Sequence, residues 1–417
     1  MHVFCEEFFV KGLIPFIGVR TVRGKAVSFV KYLHIGLLFF FASSVFAGDV
    51  PVTQVDRLTK IDQLLTGAIS QGLIAGGVVL IGNHAEILFE RAYGKVSSAT
   101  DARPMTVDTI FDIASLTKVI ATTPAVLKLA EEGKLSLVDP VAKWYPEFNG
   151  QMKDDLLMVN LLTHTSGLDD FPLSSQNSLQ YAVNGAAAQK LKGAVGSRFR
   201  YADINFILLA ESVKRVIGVG LDLYTTACFF APLGMKDTSF NPSRESTSRC
   251  AATLNTDNSL LVGQVQDYEA RQLGGVAGHA GLFSTAGDLA RFCRMLLNGG
   301  EYEGKRILSE RTVNQMTAPY FSRGGKVVRG LGWDIDSPYS SPRGNGFSEV
   351  SFGHTGYSGS SVWIDPASDT FVVLLTSRLE YRKTKEFSRL RSDLSTLAAA
   401  LFAPPVEIRE LTRLNYE

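Results

Sequence analysis

Apolar residues recur along this chain at two spacings, which separate its ends from its middle. Residues 55–72 have apolar positions at helical intervals, and an apolar run and an alternating run follow at 76–83 and 86–94. The pattern therefore predicts a helix and two strands joined by a tight turn at Asn83 and His84. Similar runs return only near the other end, where they predict strands at 330–336, 348–354, 358–365 and 370–377 and a closing helix at 383–402.

Helical spacing dominates the middle of the chain. A long helix is predicted to begin near Ser115 and to run toward Gly133, with a kink or break at Pro124. A second helix is predicted over 203–217. A third, over 284–300, begins with a Ser or Thr cap and ends in two glycines.

Strands at both ends with helices between them indicate a fold class. We expect an α+β fold, in which one antiparallel sheet is built from both termini and flanked by helices, with an all-helical subdomain inserted on one side. The domain is predicted over 48–405, with its sheet part at 55–114 and 281–402 and its helical part at 115–280. A small-molecule site is expected in the cleft between the two parts.

A short apolar run at 35–47 precedes this domain. Val45 and Ala47 fit the small-x-small pattern of a cleavage site, and the run is shorter than the roughly 20 residues that a membrane span needs. Residues 1–47 are therefore predicted to be a signal segment cut before Gly48, which makes the protein periplasmic or secreted. The alternative is an uncleaved segment that anchors the protein to the inner membrane, and this is the only membrane contact we expect.

Charge and cysteine content exclude several classes of function. Lys and Arg total 42 against 41 Asp and Glu, and no segment is strongly basic, so we expect no nucleic-acid partner. The four cysteines form no Cys-x-x-Cys pair, and the six histidines show no metal-binding spacing. We therefore expect neither a metal nor another cofactor, and we interpret the cysteines as small buried residues.

Ser115 and Lys118 form the first candidate catalytic pattern. On a helix, residues three apart share a face, so the hydroxyl and the amine can meet. Serine needs a neighbouring base, and a lysine can serve when burial lowers its pKa. A bare Ser-x-x-Lys is more often exposed helix surface, but the apolar flanks FDIAS and VIATT predict that Lys118 is partly buried here.

Two further segments carry suitable polar groups. Tyr201 and Asp203 precede the helix at 203–217, and a phenol beside a cationic lysine can shuttle protons. The alternative is a packing tyrosine followed by an ordinary helix N-cap. His354 and Gly356 follow a strand, where the histidine could orient a substrate carbonyl or carboxylate and the glycine permits close approach. The alternative there is a strand-end turn with a hydrogen-bonded histidine.

Taken in order, five segments of this chain resemble those of the class C β-lactamase-like serine hydrolase family. That family includes low-molecular-weight penicillin-binding proteins, D-alanyl-D-alanine carboxypeptidases, D-aminopeptidases and esterases. The resemblance covers nearly all of residues 55–400 and implies a serine β-lactamase or DD-peptidase-like fold. The segments are FDIASLTKVIATT, LLTHTSGL at 161–168, Tyr201-Ala-Asp, GGVAGHAGLFSTAGDLARF at 274–292 and HTGYSGSSVWIDP at 354–366.

The resemblance also implies roles for individual residues. Ser115 matches the family's acylated serine, Lys118 its lysine base or proton relay, and Tyr201 the tyrosine that activates the serine and protonates the leaving group. The amides of Ser115 and Tyr357 are the implied oxyanion hole, and His279 is a weaker site candidate. The expected substrate-binding residues are Asp203, His354, Thr355, Gly356 and Tyr357.

Two positions depart from the family's usual pattern. The tyrosine motif usually ends in Asn, whereas this chain has Asp203, and the strand motif of β-lactamases commonly begins with Lys, whereas this chain has His354. If Asp203 faces the cleft, its carboxylate is expected to pair with Lys118 and to hold that lysine charged. Both departures argue against efficient β-lactam hydrolysis.

The leading hypothesis is an exported serine hydrolase that forms an acyl-enzyme at Ser115 on an ester or amide. Its substrate is expected to be a small molecule or peptide, with D-amino-acid peptides of cell-wall origin and other peptidoglycan fragments as candidates. The alternatives are a true β-lactamase, a non-catalytic module that binds β-lactams or peptidoglycan, and a purely structural protein.

Overall fold

The central sheet joins the two ends of the described chain. The computed structural model describes residues 52–323 and 327–402. In it, strand Ile74–Gly82 pairs antiparallel with strand Thr370–Arg378 along most of their length. Segments from opposite ends of the sequence are therefore neighbours, as the hydrophobic pattern predicts. The predicted signal segment, residues 1–47, lies outside the described residues.

Both faces of these two strands are buried, which explains their nearly continuous apolar sequence. In the first strand, Val78 and Leu80 point into the core on one face, while Val79 and Ile81 point into the core on the other. The larger core lies between the sheet and the helices of the middle of the chain. The smaller core lies beneath the first and last helices.

The strands of the described residues are numbered in chain order. They are β1 (Ile74–Gly82), β2 (Ile87–Gly94), β3 (Phe111–Asp112), β4 (Ser239–Phe240), β5 (Ala252–Leu254), β6 (Leu260–Val262), β7 (Leu282–Ser284), β8 (Glu301–Tyr302), β9 (Lys305–Arg306), β10 (Phe321–Arg323), β11 (Val327–Arg329), β12 (Asp334–Asp336), β13 (Phe352–Thr355), β14 (Ser361–Asp365) and β15 (Thr370–Arg378). The main sheet has the order β10-β11-β12-β13-β14-β15-β1-β2, and all neighbouring strands are antiparallel.

The α-helices are numbered in the same way. They are α1 (Val52–Ser70), α2 (Thr123–Glu131), α3 (Val141–Trp144), α4 (Met158–Leu162), α5 (Ser178–Ala188), α6 (Ile204–Ile217), α7 (Leu221–Thr225), α8 (Ala231–Leu233), α9 (Arg244–Thr247), α10 (Tyr268–Gln272), α11 (Ala286–Leu297), α12 (Glu310–Thr317) and α13 (Thr384–Phe402). Helices α1 and α13 pack together on one face of the sheet, and α11 packs against β1 and β15.

The predicted α+β fold, with a large antiparallel sheet and flanking helices, is confirmed. The long elements α1, β1, β2, α6, α11, β15 and α13 agree with their predicted ranges to within a few residues. The predicted strand at 330–336 is shorter, because only β12 joins the sheet. The N–H groups of Leu331 and Gly332 instead donate to Met316 and Leu162, outside the sheet.

The part predicted to be all-helical, 115–280, is not entirely helical: it contains three short strands, β4, β5 and β6, that the hydrophobic pattern does not predict. Strands β3, β7 and β4 form a small separate sheet, and β5 pairs with β6. Each is only two or three residues long, too short to show alternation. The small sheet matters for the site because β3 leads directly into the turn that carries Ser115.

The helix predicted to begin at Ser115 is less regular than expected. A 3-10 turn over Ala114–Leu116 is followed by a π-helical turn over Lys118–Thr122, and only then does α2 begin. Pro124 lies in the first turn of α2, directly after the π-helical turn. The backbone stays helical at Thr122 and Thr123, so the structure shows a change from π- to α-helical geometry here and not the predicted break.

The described helices were compared with the length and apolar composition of a membrane span, and the described cysteines with the geometry of a disulfide. No single described helix is long and apolar enough to span a membrane, and one sharply bent pair, α6 with the segment Leu221–Leu233, meets the criteria on length and composition alone. Cys250 and Cys293 are buried and Cys228 is half-buried, and all three are free thiols.

Candidate active site

A cleft of about 740 Å³ brings the predicted site residues together. Lys118 lies just beneath the cleft, fully buried against Ser115. The walls of the cleft include seven of the residues singled out from the sequence: Ser115, Tyr201, Asp203, His354, Thr355, Gly356 and Tyr357.

Ser115 is presented on a tight turn that buried hydrogen bonds hold in place. The preceding residue, Ala114, has a left-handed φ of 47°, which is unusual for a residue other than glycine. Asp112 Oδ1 accepts the Ala114 N–H at 2.8 Å, and Thr117 Oγ1 donates to the Ala114 carbonyl at 2.6 Å. Burial raises the pKa of Asp112 to about 6. The strained backbone next to the nucleophile is thus fixed from both sides.

The turn between β13 and β14 is fastened to the turn that carries Ser115. Ser358 Oγ donates to the Asp112 carbonyl at 2.6 Å, and Ser360 Oγ donates to the Ile113 carbonyl at 2.8 Å. Gly356 lies where the two turns meet, and a Cβ on it would be 2.4 Å from the Ile113 carbonyl oxygen. These contacts bring the backbone of Tyr357 to the same cleft as Ser115.

Lys118 has a fully buried ammonium surrounded by oxygen atoms. Its Nζ donates to Ser115 Oγ at 3.1 Å and to the His279 carbonyl at 2.9 Å. It also lies 2.6 Å from Asp203 Oδ1, forming an ion pair. The Tyr201 phenol also contacts this ammonium, so Nζ has more polar partners than its three N–H donors can serve at once.

Asp203 decides the charge of this lysine. Burial alone lowers the pKa of Lys118, but the negative charge of Asp203 and the contact with Tyr201 outweigh burial, and the pKa lies above its usual value. Asp203 does not cap α6 with its side chain. Instead, Asp170 Oδ1 accepts the Ile204 N–H at 2.9 Å, so the carboxylate of Asp203 is free to face Lys118.

Tyr201 is held by a histidine whose role the sequence did not reveal. The His164 ring stacks on the Tyr201 ring with centroids 4.5 Å apart, and His164 Nδ1 accepts the Ala202 N–H at 3.2 Å. Burial lowers the pKa of His164 well below its usual value, so it is neutral. Burial raises the pKa of the Tyr201 phenol, while Lys118 and Ser115 partly oppose that rise. His164 belongs to the LLTHTSGL segment, and we assign it a positioning role.

His354 lies in the cleft as a neutral ring. Burial and the nearby charges of Arg329 and Lys118 lower its pKa well below the usual value. Its Nδ1 lies 2.8 Å from the Thr355 carbonyl, which assigns the proton to Nδ1. Nε2 is then an acceptor, suited to a substrate N–H group rather than to the carboxylate or carbonyl considered from the sequence.

His279 supports Lys118 through its backbone, while its ring pairs with Asp267. His279 Nε2 lies 2.9 Å from Asp267 Oδ1, and this contact raises the pKa of the histidine despite its burial. Possible ligand atoms of Asp203, Asp267 and His279 lie within 4.8 Å of one another. Because Lys118 already lies against Asp203, we interpret the cluster as an ion-pair network.

Several charged groups in the cleft were not predicted from the sequence. They come from segments far apart along the chain, and no local motif marks them. They are Asp267, Glu269, Arg329, Asp334, Arg378 and Arg391. Asp170 lines a neighbouring cavity instead.

The sheet, the serine turn and the buried lysine together define a serine hydrolase of the β-lactamase type. Comparison with known proteins agrees: the Beta-lactamase family model matches residues 61–393, and the chain belongs to that family. It is 31% identical over 366 residues to "Putative D-alanyl-D-alanine carboxypeptidase" of Escherichia coli K12, which covers 78% of this chain and 83% of the relative. A relative of the same name from Salmonella agona is 29% identical over 82% of this chain and 90% of its own length.

Solved structures show the same fold at lower sequence identity. EstCE1, described as a hydrolase with promiscuous acyltransferase activity, superposes with a TM-score of 0.68 at 22% identity, over 82% of this chain and all of its own. A penicillin-binding protein homologue from Caulobacter crescentus superposes with a TM-score of 0.68 at 20% identity, over 82% of this chain and 98% of its own. A class C β-lactamase bound to cefoxitin superposes with a TM-score of 0.67 at 20% identity, over 84% of this chain and 99% of its own.

The contact between the two turns can be tested at Gly356. In Gly356→Ala the new Cβ would lie 2.1 Å from Ser360 Oγ and 2.4 Å from the Ile113 carbonyl, so the turns must separate. We expect the free energy of unfolding to fall by about 1–3 kcal/mol and labelling of Ser115 by a fluorophosphonate probe to slow. Urea unfolding and the labelling rate measure the two effects.

Gly287→Ala in α11 is the matched control, because a Cβ there has no neighbouring atom within 4 Å. We expect it to leave the labelling rate unchanged and to alter stability by less than about 1 kcal/mol. Unchanged stability and labelling in Gly356→Ala would show that the two turns are not fastened as described.

Proposed function

We propose that this protein is an exported serine hydrolase that forms an acyl-enzyme at Ser115 on a D-amino-acid peptide derived from the cell wall. The observation that carries the proposal is the contact of Lys118 Nζ with both Ser115 Oγ and Asp203 Oδ1 inside the cleft. A serine hydroxyl so placed has a proton-transfer partner within reach and an open cleft in front of it.

The proposed reaction uses this geometry. Ser115 Oγ attacks the carbonyl carbon, and the N–H groups of Ser115 and Tyr357 stabilise the oxyanion. The proton of Ser115 passes to Lys118 once that lysine is neutral, and Tyr201 relays a proton to the departing nitrogen or oxygen. Water then attacks the acyl-enzyme, its proton follows the same path back to Ser115 Oγ, and the acid product leaves.

Two buried arginines support a substrate with a free carboxylate. Arg378 and Arg391 line the cleft at 4% and 8% exposure, and among the described residues neither has a carboxylate within 4 Å. Burial and mutual repulsion lower the pKa of Arg391 to about 9. Both guanidinium groups also donate to backbone carbonyls of the turn between β13 and β14, Arg391 to Gly356 and Ser360 and Arg378 to Tyr357. Their positive charge, which no carboxylate offsets at close range, attracts an anion, and the carboxy-terminal group of a peptide is one. The names of the relatives favour the same substrate class.

Export rests on the pattern of residues 1–47, which indicates a cleaved signal segment. An exported hydrolase would meet peptidoglycan fragments in the periplasm, which is the location we propose. The departures at Asp203 and His354 make β-lactam turnover the weaker alternative. A binding module that is acylated but not hydrolysed is the other alternative, and the experiment below separates it.

The nucleophile is tested by comparing the mature chain with its Ser115→Ala variant. We expect the mature chain to hydrolyse a p-nitrophenyl ester and a D-alanyl-D-alanine peptide, and the variant to lose at least about 1000-fold of that rate. Release of p-nitrophenol and of D-alanine measures the two reactions. Equal ester rates in both proteins would remove Ser115 from the mechanism, and a stable penicillin adduct without peptide turnover would favour the binding module.

The charge of Lys118 predicts a pH dependence. Acylation needs a neutral lysine, and Asp203 stabilises the ammonium, so the rate should rise toward alkaline pH. In Asp203→Asn the buried ammonium loses its anionic partner, and the pKa of Lys118 falls. We therefore expect the rising limb of kcat/KM to move to lower pH by at least about one unit.

The exposed Asp154→Asn variant is the control for that profile and should leave it unchanged. Ester hydrolysis measured across neutral and alkaline pH for the three proteins provides the readout. If the pH profile of Asp203→Asn overlays that of the unmodified protein, the ion pair with Asp203 does not determine the pKa of Lys118.

A further inference from the structure

Two buried arginines hold the turn between β13 and β14 by its backbone carbonyls. Arg391, which lies on α13, donates from Nη2 to the Gly356 carbonyl at 2.6 Å and to the Ser360 carbonyl at 2.7 Å. Arg378, at the end of β15, donates from Nη1 to the Tyr357 carbonyl at 3.2 Å. Hydrogen bonds from a charged donor are stronger than those between neutral groups. Cations on two other elements of the fold therefore hold the carbonyls of this turn.

The bond to Gly356 matters because Gly356 and Tyr357 share the peptide group that is expected to serve the oxyanion hole. A trans peptide is planar, so its C=O and N–H point in opposite directions. With its carbonyl held at Arg391, this peptide directs the Tyr357 N–H away from the guanidinium. Among the described residues, that N–H donates to no backbone or side-chain acceptor. It is therefore available to an oxyanion in the cleft, which Tyr357 lines.

Other contacts of the turn do not fix this peptide as firmly. The hydroxyls of Ser358 and Ser360 attach the turn to the segment that precedes Ser115, but neither donates to the peptide group itself. The Gly359 N–H donates to the Gly356 carbonyl at 3.1 Å, which is a longer bond from a neutral donor. The serine hydroxyls therefore set the distance between the two turns, and the direction of the peptide depends most on the guanidinium.

The charge of Arg391 has a second effect on the same peptide. Hydrogen bonds in series polarise one another, so a cation at a carbonyl oxygen makes the N–H of that peptide a stronger donor. Arg391 is buried, and among the described residues no carboxylate lies within 4 Å of it. Its charge therefore acts on the turn without a neighbouring anion to offset it.

We propose that Arg391 is a positioning residue for the oxyanion hole, because it holds the Gly356 carbonyl and so directs the Tyr357 N–H at the oxyanion. The inference rests on the proposed function, in which that N–H stabilises the oxyanion formed at Ser115. Such an effect is exerted in the transition state rather than on substrate binding. It also needs no carboxylate on the substrate, which distinguishes it from carboxylate binding by the same arginine.

The first measurement is hydrolysis of p-nitrophenyl acetate, an ester without a carboxylate. In Arg391→Met the turn loses two charge-assisted hydrogen bonds, so we expect kcat to fall by about 10- to 100-fold with KM little changed. Arg391→Lys restores a cation without the planar fork of arginine and should recover part of kcat. Arg389→Met is the matched control, because Arg389 is exposed on the same helix, and it should keep the kcat of the unmodified protein.

An unchanged kcat in a folded Arg391→Met would overturn the inference. A loss confined to substrates that carry a carboxylate would also overturn it, because Arg391 would then act by binding that group. Circular dichroism checks that each variant is folded. If Arg391→Met is not folded, Arg391→Lys takes its place: a kcat below that of the unmodified protein supports the inference, and an equal kcat contradicts it.

The hold on the peptide can be measured without any catalysis. Gly356–Tyr357 is the only place in the sequence where tyrosine follows glycine. Glycine labelled at its carbonyl carbon and tyrosine labelled at its nitrogen therefore give a single NMR correlation, which comes from this peptide. A hydrogen bond to a carbonyl polarises it and deshields its carbon. We expect the carbon resonance to move to lower frequency in Arg391→Met, to move less in Arg391→Lys and to stay in place in Arg389→Met.

The Ser115→Ala variant separates this inference from the proposed function. If that variant hydrolyses the ester as fast as the unmodified protein, the proposed function fails, and the carbonyl resonance alone decides whether Arg391 holds the peptide. If Ser115 is required but Arg391→Met keeps both its kcat and its carbonyl resonance, the positioning role is wrong and the proposed function stands.

Discussion

A fully buried lysine charge is the constraint on which the site depends. Removing an ammonium from water costs several kcal/mol even after the protein relaxes, so Lys118 must be surrounded by acceptors. Three of its oxygen neighbours come from the serine turn, the start of α6 and the segment before β7. These parts of the chain must therefore converge, and the cleft forms where they meet.

The groups around this charge show how the structure accommodates Asp203, which stands where the family usually has Asn. Asp203 stands one residue before α6, where an aspartate would ordinarily cap the helix. Its carboxylate turns to Lys118, and Asp170 accepts the Ile204 N–H in its place. The stacking of His164 on Tyr201 then fixes the phenol beside the same lysine. The active site is thus one connected set of charges and rings, which makes its pH dependence sensitive to Asp203.

The parts of this arrangement that follow from local sequence could be predicted. Strands β1 and β15 are apolar because both of their faces are buried, and Ser115 and Lys118 meet because residues three apart share a helical face. The pairing of Asp203 with Lys118 was also expected, on the condition that Asp203 faces the cleft. The remaining groups depend on tertiary contacts. Nothing near Glu269 or Arg391 in the sequence indicates that each faces the cleft, and the backbone at 331–332 leaves the strand pattern because its N–H groups find acceptors outside the sheet.

The most direct test of this account is the protonation state of Lys118 itself. The Nζ resonance of Lys118 can be followed by NMR in protein labelled at lysine, with Lys118→Arg providing the assignment. The account predicts an ammonium resonance at neutral pH that persists at pH values above the ordinary pKa of lysine. In Asp203→Asn the change to the neutral amine should occur at lower pH. A neutral amine at neutral pH in the unmodified protein would contradict it, because Asp203 would then not determine the charge at the centre of the site.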